Sequence, residues 1–230
     1  MYELRNVSKA YRKRQQEVVA LRESSLTIHA SEYIAVVGPS GSGKTTLLSL
    51  LGGMLAPDKG QVLLNGESLY ELSAAQRTVR RQMQIGFVFQ TFNLVPYMSA
   101  LQNVEVPLYL AGVPIKEHRD RAASLLARVG LSDRLDHKPC ELSTGQQQRV
   151  ALARTLANDP TLILADEPTG NLDPESRATV LAMFDRFVVE GRTIVMVTHD
   201  PAAANRAARK LNLSNGVITE AGGNSTRRAA

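Results

Sequence analysis

Five short apolar runs punctuate the chain, at Tyr33–Val37, Gln61–Leu64, Ile85–Phe89, Thr161–Ala165 and Thr193–Val197. They are too short for stable helices and mostly rich in β-branched or aromatic residues, which predicts buried strands. Three of them run directly into polar or glycine-rich residues, at Gly38, Asp166 and Thr198-His199. Buried strands that deliver functional groups at their C-terminal ends are what an open parallel α/β sheet provides. Between Gln90 and Pro160 the spacing turns helical, clearest over Lys116–Val129 and Gln146–Ala157. The second stretch opens at Ser143, a good N-cap, and stops at Asn158-Asp159-Pro160. The expected organisation is a single α/β unit over residues 1–220, with a core of 1–90 and 160–220 and an inserted helical subdomain over 91–159. No internal repeat is visible, so the unit occurs once. Residues 221–230 are small, polar and basic, and are expected to form a disordered tail.

Composition narrows the class of protein. In 230 residues, 43% are hydrophobic and 21% charged, which excludes wholesale disorder and leaves enough chain for a core without staples. The single cysteine, Cys140, excludes an intrachain disulfide and a four-thiolate zinc site. Gln82–Val104 carries no charge over 23 residues, but Gly86, Pro96 and several side-chain amides argue against a membrane span. With no secretory pattern at the N-terminus, the reducing cytoplasm is the expected compartment. Charge adds a hint about partners. With 27 basic and 22 acidic residues the net charge is +5, which points to an anionic partner: nucleotide, nucleic acid or phospholipid surface. The basic residues are scattered in short clusters, so charge alone selects none of these.

The candidate chemistry sits at the C-terminal ends of the strands. Tyr33–Val37 leads into Gly38-Pro39-Ser40-Gly41-Ser42-Gly43-Lys44-Thr45-Thr46, which satisfies G-x-x-x-x-G-K-[ST] and opens an apolar helix. Glycines let the backbone curl so that successive N–H groups face phosphate oxygens at the positive end of that helix. Lys44 can reach the terminal phosphates of a nucleotide, and the Thr45 hydroxyl can ligate Mg²⁺. A second apolar strand ends in Asp166-Glu167. Asp166 fits a Mg²⁺ partner, and Glu167, pointing the other way, fits a group that orients or deprotonates an attacking water.

Leu142-Ser143-Thr144-Gly145-Gln146-Gln147-Gln148-Arg149, just before that strand, resembles the signature motif of ATP-binding-cassette (ABC) ATPases. Further landmarks of that family fall in the right order. Tyr11 matches the aromatic that stacks on adenine, Gln90 the glutamine after a core strand, Asn171-Leu172-Asp173 the D-loop, and His199 the switch histidine. The resemblance covers about residues 1–220. It implies a P-loop NTPase fold of the α/β class: a RecA-like core sheet, an antiparallel β subdomain and an inserted helical subdomain. The implied cofactors are ATP and Mg²⁺, with Thr45, Gln90 and Asp166 at the metal. Glu167, His199 and Gln90 are the implied catalytic groups. Ser143, Gly145, Gln146 and Asp173 are implied to complete the ATP site of a second subunit in a head-to-tail homodimer. Thr144 stands where the family has glycine, and a positive φ there would strain a β-branched residue.

Within the family, Thr91-Phe92-Asn93-Leu94-Val95-Pro96 and Ala165–Asp173 resemble the lipoprotein-releasing, macrolide-exporting and cell-division (FtsE-type) ATPases. A separate transmembrane permease is then the expected partner, docking near Phe92, Leu94 and Tyr97. The implied location is peripheral, on the cytoplasmic face of the inner membrane. The alternatives are a cell-division ATPase that transports nothing and, further off, a DNA-associated ABC ATPase. The latter expects a long coiled-coil insertion, for which Gln90–Ser143 is too short, so no nucleic acid is expected.

Overall fold

The computed structural model describes residues 1–13 and 16–220, so the expected tail at 221–230 lies outside the described residues. Two sheets clasp one helix. The smaller is antiparallel, built from β1 (Tyr2–Lys13), β2 (Gln16–Ile28), β4 (Lys59–Leu64) and β5 (Glu67–Ser68), in the order β2-β1-β4-β5. The larger contains β3 (Tyr33–Val37), β6 (Ile85–Phe89), β7 (Leu162–Asp166), β8 (Thr193–Val197), β9 (Arg209–Ser214) and β10 (Val217–Glu220). Its order is β10-β9-β3-β8-β7-β6, parallel except for the β9–β10 hairpin. Four of the five apolar runs are therefore strands of the parallel sheet. The fifth, Gln61–Leu64, lies in β4 and belongs to the antiparallel sheet.

Period-two alternation divides the core. Ile34, Val36, Leu162, Leu164, Val195 and Val197 face α1 (Lys44–Leu51), whose Leu47, Leu48, Leu50 and Leu51 also meet Leu4, Leu21 and Val62 of the antiparallel sheet. The intervening Ala35, Ile163, Ala165, Ile194 and Met196 face the opposite layer of helices. That layer holds α3 (Ala100–Leu110), α4 (Ile115–Arg128), α5 (Thr144–Thr155) and α6 (Pro174–Val189), centred on Leu101, Leu126, Leu152 and Phe184. The remaining α-helices are α2 (Ala74–Gln84), which buries no side chain, and the short α7 (Pro201–Ala204), and Pro139–Glu141 forms a 3₁₀ turn. Among the described residues no helix is long and apolar enough to cross a membrane.

Parallel register aligns the C-terminal ends of the central strands. Phe89 lies opposite Asp166, Asp166 opposite Val197, and Val36 opposite Val197. The residues next in the chain, from Gly38, Gln90, Glu167 and Thr198 onward, therefore emerge along one edge. This is where ligands of open α/β sheets bind.

Candidate nucleotide site

That edge carries a cleft of about 940 Å³. It is lined by Tyr11, Gly38, Pro39, Ser40, Gly41, Gly43, Lys44, Thr45, Thr46, Gln90, Asp166, Glu167 and His199, joined by Val18, Ala20, Phe89 and Thr91. Ser42 of the phosphate loop is buried beneath it, with its N–H bonded to the Pro39 carbonyl at 3.3 Å.

The loop's shape depends on two glycines. Gly43 caps α1 with φ 105°, and any Cβ there would run into the Ala20 carbonyl; at Gly38 it would run into that of Leu213. Both approaches are to backbone, so neither can relax by a side-chain rotation. Lys44 Nζ donates to the carbonyls of Gly38 at 2.8 Å and Pro39 at 2.9 Å, which holds the ammonium inside the loop. Such a cradle, at a helix N-terminus, presents N–H groups and a cation to phosphate.

Asp166 and Glu167 point apart. Asp166 Oδ2 accepts from Thr45 Oγ1 at 2.9 Å, and burial pushes this carboxyl above the usual aspartate range, against the bond from Thr45. A desolvated carboxylate with one hydroxyl partner is stabilised by a cation. No cluster of three or more His, Cys, Asp or Glu exists among the described residues. The donor set at Thr45, Gln90 and Asp166 is instead hydroxyl, amide and carboxylate oxygen. This fits Mg²⁺, a hard cation that takes few protein oxygens and keeps water and phosphate oxygens. When bound, Mg²⁺ neutralises negative charge on the phosphates.

Glu167 adopts φ +47°, and its N–H donates to the Val197 carbonyl at 2.9 Å. This left-handed turn carries its carboxylate to His199: Oε1 lies 2.9 Å from Nδ1, and Oε2 accepts from the His199 backbone N–H at 3.3 Å. Sequence reading placed the two residues at one site without showing that they touch. Gln90 is similarly held. Its Nε2 donates to Asn171 Oδ1 at 3.2 Å, while Asn171 Nδ2 donates to the Gln90 carbonyl at 3.1 Å. The amide oxygen of Gln90 is thereby left for the cleft. Tyr11 stands at the far end, exposed, with its hydroxyl 3.3 Å from Thr46 Oγ1.

Ser143, Gly145, Gln146 and Asp173 do not line the cleft. Ser143 caps α5 in a reciprocal box with Gln146, taking the Gln146 N–H, and Ser143 and Thr144 at this helix start are exposed. Thr144 is the first helical residue, with no positive φ, so the feared strain is absent. Gly145 is required for packing, because a Cβ there would strike Ser176 at the start of α6. Asp173 caps α6, accepting from the N–H groups of Glu175 and Ser176. Bonds from Ser176 hold its carboxyl below the usual range.

The chosen docking residues divide. Phe92 and Leu94 are half-buried and pack against the helical core, whereas Tyr97 is 85% exposed. The packing accompanies a left-handed turn at Phe92 and Asn93. Two residues make contacts that the sequence did not single out. Gln148 is fully buried, with Nε2 donating to the Pro168 carbonyl at 2.5 Å. It lies on the α5 stripe with Gly145 and Leu152, so helical phase would have revealed it. Arg154 is the other.

The family model described as "ABC transporter" matches residues 21–170. The chain belongs to the ABC transporter family. It is an ATPase cassette, as the phosphate loop and paired carboxylates of the cleft require. An uncharacterized ABC transporter ATP-binding protein of Thermotoga maritima is 50% identical over 198 residues, covering 86% of this chain and 85% of that protein. The macrolide export ATP-binding/permease protein MacB of Escherichia coli is 44% identical over 224 residues, covering 97% of this chain and 35% of MacB. The chain thus spans about a third of that relative. Among solved structures, the ATP-binding cassette MJ0796, in a dimeric post-hydrolysis state bound to ADP and Pi, superposes with a TM-score of 0.88. It is 38% identical, covering 97% of this ABC cassette and all of that chain.

Proposed function

We propose that this ABC cassette works as a homodimer that buries two Mg-ATP, each held in one subunit's cleft and covered by the other's Ser143 helix start. The observation that carries this reading is the separation of two anion sites. The phosphate loop, Lys44 and Glu167 share one cleft, while the capped N-terminus of α5 faces solvent elsewhere. Within the cleft, Lys44 and the loop N–H groups bind phosphates, Tyr11 stacks on the base, and Glu167, steadied by His199, orients and deprotonates water. Gly145, Gln146 and Asp173 form the facing surface. The dimeric cassette with ADP and Pi supports the arrangement.

In this reading the helical part, residues 91–159, meets a separate membrane permease that holds the cassette at the cytoplasmic face. Exposed Tyr97 and a groove of about 380 Å³, whose lining includes Phe87, Val106 and Leu110, offer the surface. Relatives named as macrolide export ATP-binding/permease proteins favour export over cell division. The test is Glu167→Gln. Turnover should fall roughly 10²–10⁴-fold, the usual weight of a positioned base, while ATP binding survives and the variant elutes as an ATP-dependent dimer. A variant that stays monomeric with ATP, or hydrolyses at the wild-type rate, overturns the proposal.

A further inference from the structure

Helix α5 is capped by Ser143 and ends against the segments that flank Gln90. Its 12 residues span roughly 18 Å at 1.5 Å per residue. At its C-terminal end two consecutive side chains grip the main chain on both sides of Gln90. Thr155 Oγ1 lies 2.8 Å from the Phe87 carbonyl, three residues before it, and shares its one proton between that carbonyl and the Ala151 carbonyl, also at 2.8 Å. Arg154 Nη2 donates to the Phe92 carbonyl at 2.6 Å and Nη1 to that of Asn93 at 2.5 Å, just after it.

The segment held by Arg154 is unusual. Phe92 and Asn93 are consecutive left-handed residues, with φ 57° and 49°. A bulky side chain such as Phe rarely enters this region, and the conformation persists only where surroundings impose it. Phe92 is anchored on one side by packing against the helical core, and on the other by its carbonyl. Arg154 is largely desolvated, which pushes its pKa below the usual guanidinium value, and among the described residues no carboxylate pairs with it. A half-buried guanidinium that spends two donors on backbone carbonyls of a strained turn holds that turn in place, because donors left unpaired in a partly desolvated position are costly.

We propose that Arg154 is a positioning residue that fixes the Phe92–Asn93 turn, and with it Gln90, in register with the signature helix. Movement of α5, when Ser143 engages nucleotide on the partner subunit, then reaches Gln90 of the same chain through a rigid rod and a two-point clamp. This rests on the proposed roles of Ser143 and Gln90.

The experiment uses the full chain with Arg154→Lys, which keeps the charge but cannot bridge two carbonyls with a planar fork. Hydrogen exchange without nucleotide should accelerate about tenfold at the Phe92 and Asn93 amides, with the amides of the α5 interior unchanged. In steady-state assays kcat should fall about tenfold while KM for Mg-ATP stays within about threefold, because the loss falls on the aligned state. Asn93→Gly, which enters the left-handed region freely, should restore kcat in the Arg154→Lys background to within about threefold of Asn93→Gly alone. Unchanged exchange, or a lowered kcat that Asn93→Gly leaves unimproved, overturns the proposal. Gln90→Ala separates the two readings. If it leaves turnover and Mg-ATP affinity intact, the assignment of Gln90 fails, whatever Arg154→Lys does to exchange.

Discussion

Gly145→Ala tests whether the signature helix is placed by its packing on α6. Gly145 is buried, and a Cβ built there meets Ser176 Oγ and, at 2.7 Å, Ser176 Cβ. Overpacking of this kind costs about 1–3 kcal/mol, partly offset by the roughly 1 kcal/mol that alanine gains over glycine inside a helix. The net loss of about 0–2 kcal/mol corresponds to a fall in Tm of up to about 8 °C for a chain of this size. Because the net is small, the decisive quantity is the coupling between the two sites. In a double-mutant cycle of Gly145→Ala and Ser176→Gly, measured by urea unfolding without nucleotide, the Ser176→Gly background should relieve the clash. The coupling should be at least ~0.5 kcal/mol. Asp173 lies three residues before Ser176 and caps the same helix, so a displaced α5 also misaligns Ser143 with Asp173. Gly145→Ala alone should therefore lower ATP turnover by more than its stability loss explains. Additive stabilities, within the error of the cycle, would refute the packing argument.

Other expected outcomes rest on single contacts. Asp166→Asn should leave Tm without nucleotide at or above wild type at pH 7. The folded carboxyl titrates above its ordinary value, so ionisation disfavours the fold as pH rises from the unfolded pKa through the folded one. The gap should shrink as pH is lowered toward the usual aspartate range, and a Tm at pH 7 well below wild type would contradict this. The same variant should lose the Mg²⁺ dependence of ATP binding, read by titration with and without the metal. Tyr11→Ala should weaken ATP binding by about 1–3 kcal/mol, the weight of base–aromatic stacking, whereas Tyr11→Phe loses only the hydroxyl bonded to Thr46; equal effects would move the base elsewhere. Ser143→Arg should abolish hydrolysis in the dimer while ATP binding by the monomer, measured by calorimetry, is unchanged.

How much of this was readable in the sequence depends on whether the signal was local. The strands β3, β6, β7 and β8 and the helices α4 and α5 coincide with their apolar patterns to within two residues or so, because each buries a continuous run or stripe. The phosphate loop was legible because its residues are contiguous. Strands β1 and β2 left no clean alternation, since register shifts between Leu4 and Val7, Val7 and Lys9, and Lys9 and Ala10 break the two-residue period. Helix α2 buries no side chain, and its apolar stripe is thin, only Ala75, Val79 and Met83, and was overlooked. The β9–β10 hairpin did carry a signal, Asn215-Gly216 with positive φ at both positions, and it was overlooked. Pairings such as Gln90 with Asn171, Glu167 with His199 and Arg154 with Phe92 join positions 32–81 residues apart, and no local pattern encodes them.

The backbone's strained positions sort themselves by chemistry. Of the eight non-glycine residues with positive φ among the described residues, five are Asn or Asp and one is Ser, side chains that tolerate the left-handed region by bonding locally. The other two are Glu167 and Phe92, for which that region costs about 1–3 kcal/mol each. Glycine would enter both positions freely, but neither could then do what the structure asks of it. The turn at Glu167 is what sends its carboxylate to His199 while the preceding Asp166 goes to Thr45, so two adjacent like charges serve different parts of one cleft. The turn at Phe92 buries a ring in the helical core while offering its carbonyl to Arg154. Strain at both sites is thus tied to a contact that a relaxed residue would forfeit, and both sites adjoin the nucleotide cleft.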